Sequence, residues 1–167
     1  MRSHPATISI DQLLGGCDEI RTRRSGPGGQ HRNKVESAVV LTHRLTGISA
    51  EANERRSQHE NRRQAVFRLR VNLALDYRSD HLSAAVSELW KSRCRGGRIH
   101  INPGHDDFPA LLAETLDVVG NCRFDLKSAA EQLVCSTSQL VKFLRLEPRA
   151  LGQINQQRAE LGLRRLR

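Results

Sequence analysis

Residues 38–52, AVVLTHRLTGISAEA, decide the fold of this chain. Ala38–His43 is a short, bounded run rich in β-branched residues, and such runs are typical of central strands. Thr46 and Gly47 supply a turn, and residues 48–52 then return along the first strand as a hairpin partner. The stretch therefore predicts a small sheet in the first third of the chain.

The residues on either side of this hairpin extend the prediction. Downstream, the apolar period becomes helical over 57–78, and Ser57 with Glu60 forms a capping-box signature at its start. Two apolar stripes lie along this predicted helix: Val66, Leu69 and Leu73 on one face, and Phe67, Val71 and Leu75 on another. The first stripe would cover the sheet. Upstream, Glu19–Arg23 predicts one more strand, and the alternation of Ile8 and Ile10 predicts an edge strand.

The rest of the chain is predicted to be helical. Residues 82–93 have helical spacing, and the helical pattern resumes at Pro109. Between them, glycines and prolines indicate a loop with one short strand over 95–107. Residues 125–145 resemble a helix-turn-helix, with Val134 where a turn glycine is usual. The fold class is thus α+β, a small mixed sheet covered by a long helix and followed by a helical module. We expect domains at 1–78 and 119–167, joined by a helical and loop connector over 79–118.

Charge points to a polyanionic partner. The 167 residues include 27 Lys and Arg against 18 Asp and Glu, a net charge of +9. Nucleic acid is the commonest partner of such a chain, although a merely soluble basic protein is the plainer interpretation. Arginines cluster between 55 and 70, and residues 145–167 carry six Arg against two Glu.

Cysteine usage and hydropathy indicate a cytoplasmic protein. The four cysteines form no CxxC pair, and the sequence contains neither a signal-peptide pattern nor an apolar run near 20 residues. We expect reduced thiols and no membrane contact. Cys94, His100 and His105 match no familiar zinc spacing, so we expect no metal. No cofactor is implied.

The chemistry is concentrated in residues 24–35, RSGPGGQHRNKV. Gly28 and Gly29 lack a Cβ, so their backbone N–H groups can approach another molecule closely. The Gln30 side-chain amide both donates and accepts hydrogen bonds. Basic residues flank the glycines: Arg21, Arg23, Arg24, Arg32 and Lys34. An ordinary glycine turn is the plainer alternative.

This loop and its flanks resemble the GGQ domain of the class I peptide chain release factor family. The resemblance rests on Gly28-Gly29-Gln30, Asn33-Lys34, Ser37-Ala38-Val39, Thr46-Gly47-Ile48 and Arg56-Ser57-Gln58 in this order. It covers roughly residues 8–76. It implies a loop that enters the peptidyl-transferase centre of the ribosome and hydrolyses peptidyl-tRNA, with Gly28, Gly29 and Gln30 as catalytic residues.

The resemblance also implies partners. They are large-subunit rRNA, peptidyl-tRNA and a methyltransferase acting on Gln30, with the protein itself a monomer. We expect RNA contacts from the following residues: Arg23, Arg24, Arg32, Lys34, Arg56, Arg62, Arg164 and Arg165. Ser57, Gln58 and Asn61 are expected to cap the helix and form bonds inside the domain first.

The short stretch before Gly28 favours the codon-independent members of the family, which rescue stalled ribosomes. Family members that read stop codons carry a separate recognition domain before the loop, and we expect none here. Two other functions stay open. One is a non-catalytic factor that binds large-subunit rRNA. The other is a DNA-binding helix-turn-helix protein, which the mildly basic face of Thr137, Ser138, Gln139 and Lys142 disfavours.

Overall fold

The β-branched run at 38–43 forms the middle strand of a three-stranded antiparallel sheet. This computed structural model describes residues 3–22, 37–79 and 85–166. The strands are β1 (Cys17–Thr22), β2 (Ala38–His43) and β3 (Ser49–Ala52), in the order β1-β2-β3. The central position of β2 and its hairpin with β3 confirm the prediction, and Gly47 takes a φ of 71° in the turn. The predicted α+β class is confirmed, with an antiparallel rather than mixed sheet.

One long helix covers this sheet. It is α2 (Gln58–Asp76), and the Ser57 side chain accepts a hydrogen bond from the Glu60 N–H at its start. The predicted inner stripe of Val66, Leu69 and Leu73 is buried. On the second stripe Val71 and Leu75 are also buried, whereas Phe67 is half-buried. The contacts of α2 with β2 and β3 make this a helix-on-sheet layer.

The predicted edge strand at Ile8 and Ile10 is wrong, because a short helix begins there. This helix is α1 (Ile10–Gly15), and Ser9 and Gln12 form a reciprocal capping box at its N-terminus. The box satisfies backbone N–H groups that a strand would have paired with a neighbour. Leu13 is fully buried, while Ile10 is 43% exposed. Local capping therefore outweighs an alternation of only two isoleucines.

The N-terminal segment is fixed to the last turns of α2. His4 Nε2 lies 3.2 Å from the Tyr77 carbonyl oxygen, and the two rings meet edge to face with centroids 5.1 Å apart. Arg70 is buried, and its guanidinium donates to the Ala6 carbonyl at 3.1 Å. Residues 4–77 thus form one unit, which we call the sheet unit.

Residues 78–167, together with the first three residues, form a second unit, which we call the helical unit. Its helices are α3 (Glu88–Arg93), α4 (Phe108–Asn121), α5 (Leu126–Gln132), α6 (Thr137–Leu144) and α7 (Pro148–Glu160). A two-residue hairpin, β4 (Cys94–Arg95) and β5 (Arg98–Ile99), follows α3, with Gly96 and Gly97 at positive φ in its turn. The helix predicted from residue 82 begins, within the described residues, only at Glu88.

Aromatic side chains centre the helical unit. Trp90, Phe108 and Phe143 are all buried, and the ring of Phe143 lies 6.0 Å from that of Trp90 and 5.6 Å from that of Phe108. The indole N–H of Trp90 donates to the Leu133 carbonyl at 2.7 Å. This bond fixes α3 to the turn between α5 and α6.

The turn between α5 and α6 has a left-handed backbone conformation that usually requires glycine, but its residue is a valine. Val134 has a φ of 53° and is 69% exposed. The Val134 N–H donates to the Glu131 carbonyl and the Cys135 N–H to the Ala130 carbonyl, so the last carbonyls of α5 are satisfied. The predicted pair of helices is therefore present, with a β-branched residue in a left-handed conformation.

Candidate functional site

The two ends of the glycine-containing segment leave the sheet at paired positions. Thr22, the last residue of β1, lies opposite Ala38, the first residue of β2. We call this pair the stem. The catalytic candidates Gly28, Gly29 and Gln30, and the RNA-contact candidates Arg23, Arg24, Arg32 and Lys34, all lie outside the described residues. The chain that carries them begins and ends on neighbouring, hydrogen-bonded strands.

Asn61 ties the stem to the start of α2. Its side chain is fully buried, and its Nδ2 donates to the Ser37 carbonyl at 2.6 Å and to the Arg55 carbonyl at 2.9 Å. Its Oδ1 accepts from the Arg55 N–H at 2.9 Å. Asn61 therefore forms bonds inside the unit, as expected from the sequence. Because one side chain reaches both places, the backbone of Arg55 lies beside the entry to β2.

Arg62, an RNA-contact candidate, pairs with a carboxylate on β1. Its Nε donates to Glu19 Oε2 at 2.8 Å, and Arg21 donates to the other oxygen of Glu19 at 3.1 Å. The hydrogen bond from Arg62 lowers the pKa of Glu19, against a smaller upward effect of burial. The Arg62 side chain remains 40% exposed. An RNA contact by Arg62 stays a prediction.

The other arginines clustered between residues 55 and 70 divide into two groups. In the first group, Arg68 donates to the Glu51 carbonyl at 2.8 Å and pairs with Glu54 at 2.6 Å. Arg70 is buried and donates to the Ala6 carbonyl. Three others are exposed: Arg55, Arg56 and Arg63. This exposed set includes the RNA-contact candidate Arg56 and flanks the N-terminus of α2, next to the stem. The sequence analysis does not identify Glu19 as a partner, because it lies on β1, 43 residues from Arg62 along the chain.

Arg44 fixes the other end of the β1–β2 pair. Its Nη1 donates to the Cys17 carbonyl at 2.7 Å and to Asp18 Oδ1 at 3.0 Å, and its Nη2 donates to the Gly15 carbonyl at 2.5 Å. These bonds join the end of α1, the start of β1 and the end of β2. Side chains thus hold both ends of this strand pair.

The basic C-terminal candidates Arg164 and Arg165 are exposed on a segment that folds back along α7. Asn155 accepts from the Leu166 N–H at 2.7 Å and donates to the Leu166 carbonyl at 3.2 Å. Arg158 donates from Nε to the Arg164 carbonyl at 2.9 Å and also bonds to the Phe124 carbonyl. These bonds hold the backbone, so both arginine side chains are presented from a fixed segment.

Two kinds of feature are absent from residues 3–22, 37–79 and 85–166. No three His, Cys, Asp or Glu side chains group there as a metal site, and no helix there has the length and hydrophobicity to cross a bilayer. The four thiols are free. Burial raises the pKa of the Cys135 thiol to about 11, which keeps it protonated and weakly nucleophilic.

Comparison with known proteins assigns the part of the chain that contains the stem. Residues 17–98 match the model of the RF-1 domain. This range includes all three strands of the sheet, α2, and Gly28, Gly29 and Gln30 between the stem residues. It extends past the sheet unit to β5, whereas α4 to α7 lie beyond it. No solved structure matched the chain.

The similar proteins are release factors. Peptide chain release factor 1 of Xylella fastidiosa is 42% identical over 81 residues, which cover 48% of this chain and 20% of that protein. Peptide chain release factor 1 of Nitrosomonas eutropha is 49% identical over 63 residues, 38% of this chain and 15% of that protein. The aligned part is therefore a fifth or less of these relatives.

Proposed function

The chain belongs to the class I release factor family through its RF-1 domain at residues 17–98, and from this premise we propose that it hydrolyses peptidyl-tRNA on the ribosome without reading a codon. The relatives are named peptide chain release factors, which supports release chemistry in general. Codon independence is the more specific part of the proposal. The relatives' names do not extend to it, so it has a separate test.

The observation that carries the proposal is the construction of the stem. Gly28-Gly29-Gln30 lies between Thr22 and Ala38, which pair across the sheet, and Asn61 fixes the adjoining Ser37 carbonyl to the start of α2. A loop that must present one backbone amide to a reacting ester needs a fixed base, since small misplacements of catalytic groups cost large factors in rate. Buried hydrogen bonds on rigid elements supply such a base.

The chemistry proposed for the loop requires only groups that the sequence provides. The backbone N–H of Gln30 donates to the oxyanion or to the departing ribose hydroxyl as negative charge develops. Gly28 and Gly29 permit the backbone conformation that this approach needs. The Gln30 side chain narrows the site so that water rather than a larger nucleophile reaches the carbonyl carbon. Water is the nucleophile, and no protein general base takes part.

The proposed partners follow from the same chemistry. Arg23, Arg24, Arg32 and Lys34 would contact rRNA around the loop, and Gln30 would be the target of a methyltransferase. The exposed Arg56 supports an RNA-facing surface beside the stem. Arg164 and Arg165 would add a second RNA contact. We propose a cytoplasmic monomer with a catalytic domain over 1–78, a connector over 79–118 and a binding module over 119–167.

The decisive experiment measures peptide release from ribosomes stalled on truncated mRNA. Gly28→Ala and Gln30→Ala are compared with the unaltered protein and with Gly15→Ala as a matched control. A Cβ at Gly15 meets open space and φ there is not positive, so the control should release peptide normally. Loss of one oxyanion donor costs about 10²- to 10³-fold in rate in other enzymes, and we expect a loss of this order for Gly28→Ala.

A second pair of reactions tests codon independence. Ribosomes with an empty A-site and ribosomes with a stop codon in the A-site are compared at equal protein concentration. Release that occurs only with the stop codon would contradict the codon-independent assignment. Release unaffected by Gly28→Ala would contradict the catalytic role of the Gly28-Gly29-Gln30 loop. No release above background with the unaltered protein would leave a non-catalytic rRNA-binding factor.

A further inference from the structure

The helical unit contains a groove beside helix α6. It has a volume of about 560 Å³ and opens between the β4–β5 hairpin with the following loop on one side and helix α6 on the other. A cavity of this size falls in the range that accommodates small ligands. We propose that it binds a nucleotide unit of single-stranded RNA, with the phosphate on its basic rim and the base on its apolar floor.

The rim carries one lysine whose charge no described residue neutralises. Lys142 on α6 lines the groove, is exposed, and forms no ion pair with any residue of the described part of the chain. His100 also lines it and is exposed. Arg93 is paired with Asp107, its Nε lying 3.0 Å from Asp107 Oδ2. The lining contains no carboxylate, but Asp107 lies next to it and pairs with Arg93, so the preference for an anion rests on Lys142.

The Arg93 guanidinium and the His105 imidazole lie together at this rim. Nη2 of Arg93 lies 3.1 Å from Nε2 of His105 and also donates to Asp107 Oδ2 at 2.5 Å. Nδ1 of His105 accepts from the Asp107 N–H at 3.1 Å. A guanidinium at the rim offers N–H donors of the kind that take part in charge-assisted phosphate recognition.

The floor of the groove suits a nucleobase or ribose. Ile99, Ile101 and Leu146 line it and are half-buried, so their apolar surfaces remain available to a flat ligand. The side-chain amides of Asn102 and Gln139 lie at the edge and offer donors and acceptors to a base. Apolar contact with the base and cationic contact with the backbone together are typical of single-strand recognition.

RNA is favoured over the other polyanions that could fit. An acidic peptide would use the cations but would leave the apolar floor uncovered. A duplex is wider than a groove of this volume. The choice of RNA over single-stranded DNA rests on the proposed ribosomal function, whereas the groove belongs to the helical unit and the stem to the sheet unit. Failure of RNA binding and failure of peptide release are therefore separate results.

The test uses the full chain and an eight-nucleotide oligouridine, followed by fluorescence anisotropy at several salt concentrations. Lys142→Gln is compared with Lys127→Gln, because Lys127 is an exposed lysine of the same unit that does not line the groove. We expect Lys142→Gln to weaken binding roughly tenfold. It should also reduce the logarithmic salt slope by about 0.7, the value for one lost phosphate contact on a single strand. Lys127→Gln should change the affinity less than twofold.

The location is checked by amide chemical shifts. Oligouridine should shift the resonances of His100, Asn102, Gln139 and Lys142, and oligodeoxyuridine should shift them less. Equal loss of affinity in both lysine variants, or shifts confined to residues outside the groove, would overturn the proposal. So would a glutamate-rich peptide that shifts these resonances when RNA does not. Trp90 fluorescence confirms that each variant is folded.

Discussion

The two units use polar side chains in opposite ways. In the sheet unit, buried or half-buried Asn61, Arg62 and Arg70 hold the backbone and the strands from inside. In the helical unit, rings such as Trp90 and Phe143 fill the centre, and cations such as Lys142 lie at the surface of a groove. Hydrogen bonds are directional, whereas apolar packing is not. The sheet unit therefore fixes the backbone near both ends of the stem segment by directional bonds, whereas the helical unit leaves its cations at the surface.

The largest effect is expected from removing the central polar side chain of the sheet unit. Asn61→Ala leaves the buried Ser37 carbonyl and the Arg55 N–H without their partner and should lower the free energy of unfolding by about 2–4 kcal/mol. Hydrogen exchange of the β2 amides measures it. The control is Gln64→Ala, an exposed position of the same helix. If both variants lost the same stability, Asn61 would not hold the stem.

A smaller effect of opposite sign is expected in the helical unit. Val134→Gly should raise the free energy of unfolding by about 1 kcal/mol. A β-branched residue is strained in the left-handed backbone conformation at this position, whereas glycine adopts it freely. Little burial is lost, since Val134 is largely exposed. Trp90 fluorescence during denaturation reports the change, as its indole donates to the neighbouring Leu133 carbonyl.

Val134→Ala separates backbone strain from side-chain effects at this turn. Alanine keeps the Cβ and loses only the branching, so its gain should be clearly smaller than that of glycine. A stability loss in the glycine variant would mean that Val134 makes contacts that outweigh the strain.

The smallest effect concerns the ion pair between α2 and β1. Glu19→Gln should lower the free energy of unfolding at neutral pH by less than about 1 kcal/mol, because both side chains are partly exposed. Arg62 lowers the pKa of Glu19 in the folded state. The carboxylate therefore contributes stability above its ordinary pKa of 4.5, and this contribution is lost as the pH falls through the lower folded value.

Denaturation curves between pH 2 and pH 7 check this prediction. The difference between the unaltered protein and Glu19→Gln should shrink as the pH falls below about 4.5. A cycle with Arg62→Gln and the double variant isolates the coupling between the two residues. A difference that is constant over the whole range would assign the effect to packing rather than to charge.

The sheet unit was predictable where local patterns agree with the fold. Residues 38–52 and the helix from Gln58 were correctly predicted because β-branched residues, a turn glycine and an N-cap serine all specify the same elements. The edge strand at Ile8 was wrong, although Ser9 and Gln12 carried the capping signature that would have corrected it. Two isoleucines are too short a pattern to establish a strand.

The site was less predictable, since its partners come from distant parts of the chain. The pairing of Arg62 with Glu19 spans 43 residues, and nothing in the local sequence of either residue indicates it. The groove draws on α3, the β4–β5 hairpin, the following loop and α6 at once. The Gly96-Gly97 turn between Arg95 and Arg98 is a hairpin signature, whereas the sequence analysis predicts a loop with one short strand there and not a pair of strands.

The paired ends of the stem have a consequence for protein engineering. Because β1 and β2 are in register as far as Thr22 and Ala38, their alignment is specified by the strands themselves and by Arg44 at the opposite end. Doubling the length of a connection costs only about 0.6 kcal/mol in closure entropy. The sheet unit should therefore accept an unrelated peptide between these two residues, which makes it a scaffold for grafting and displaying foreign loops.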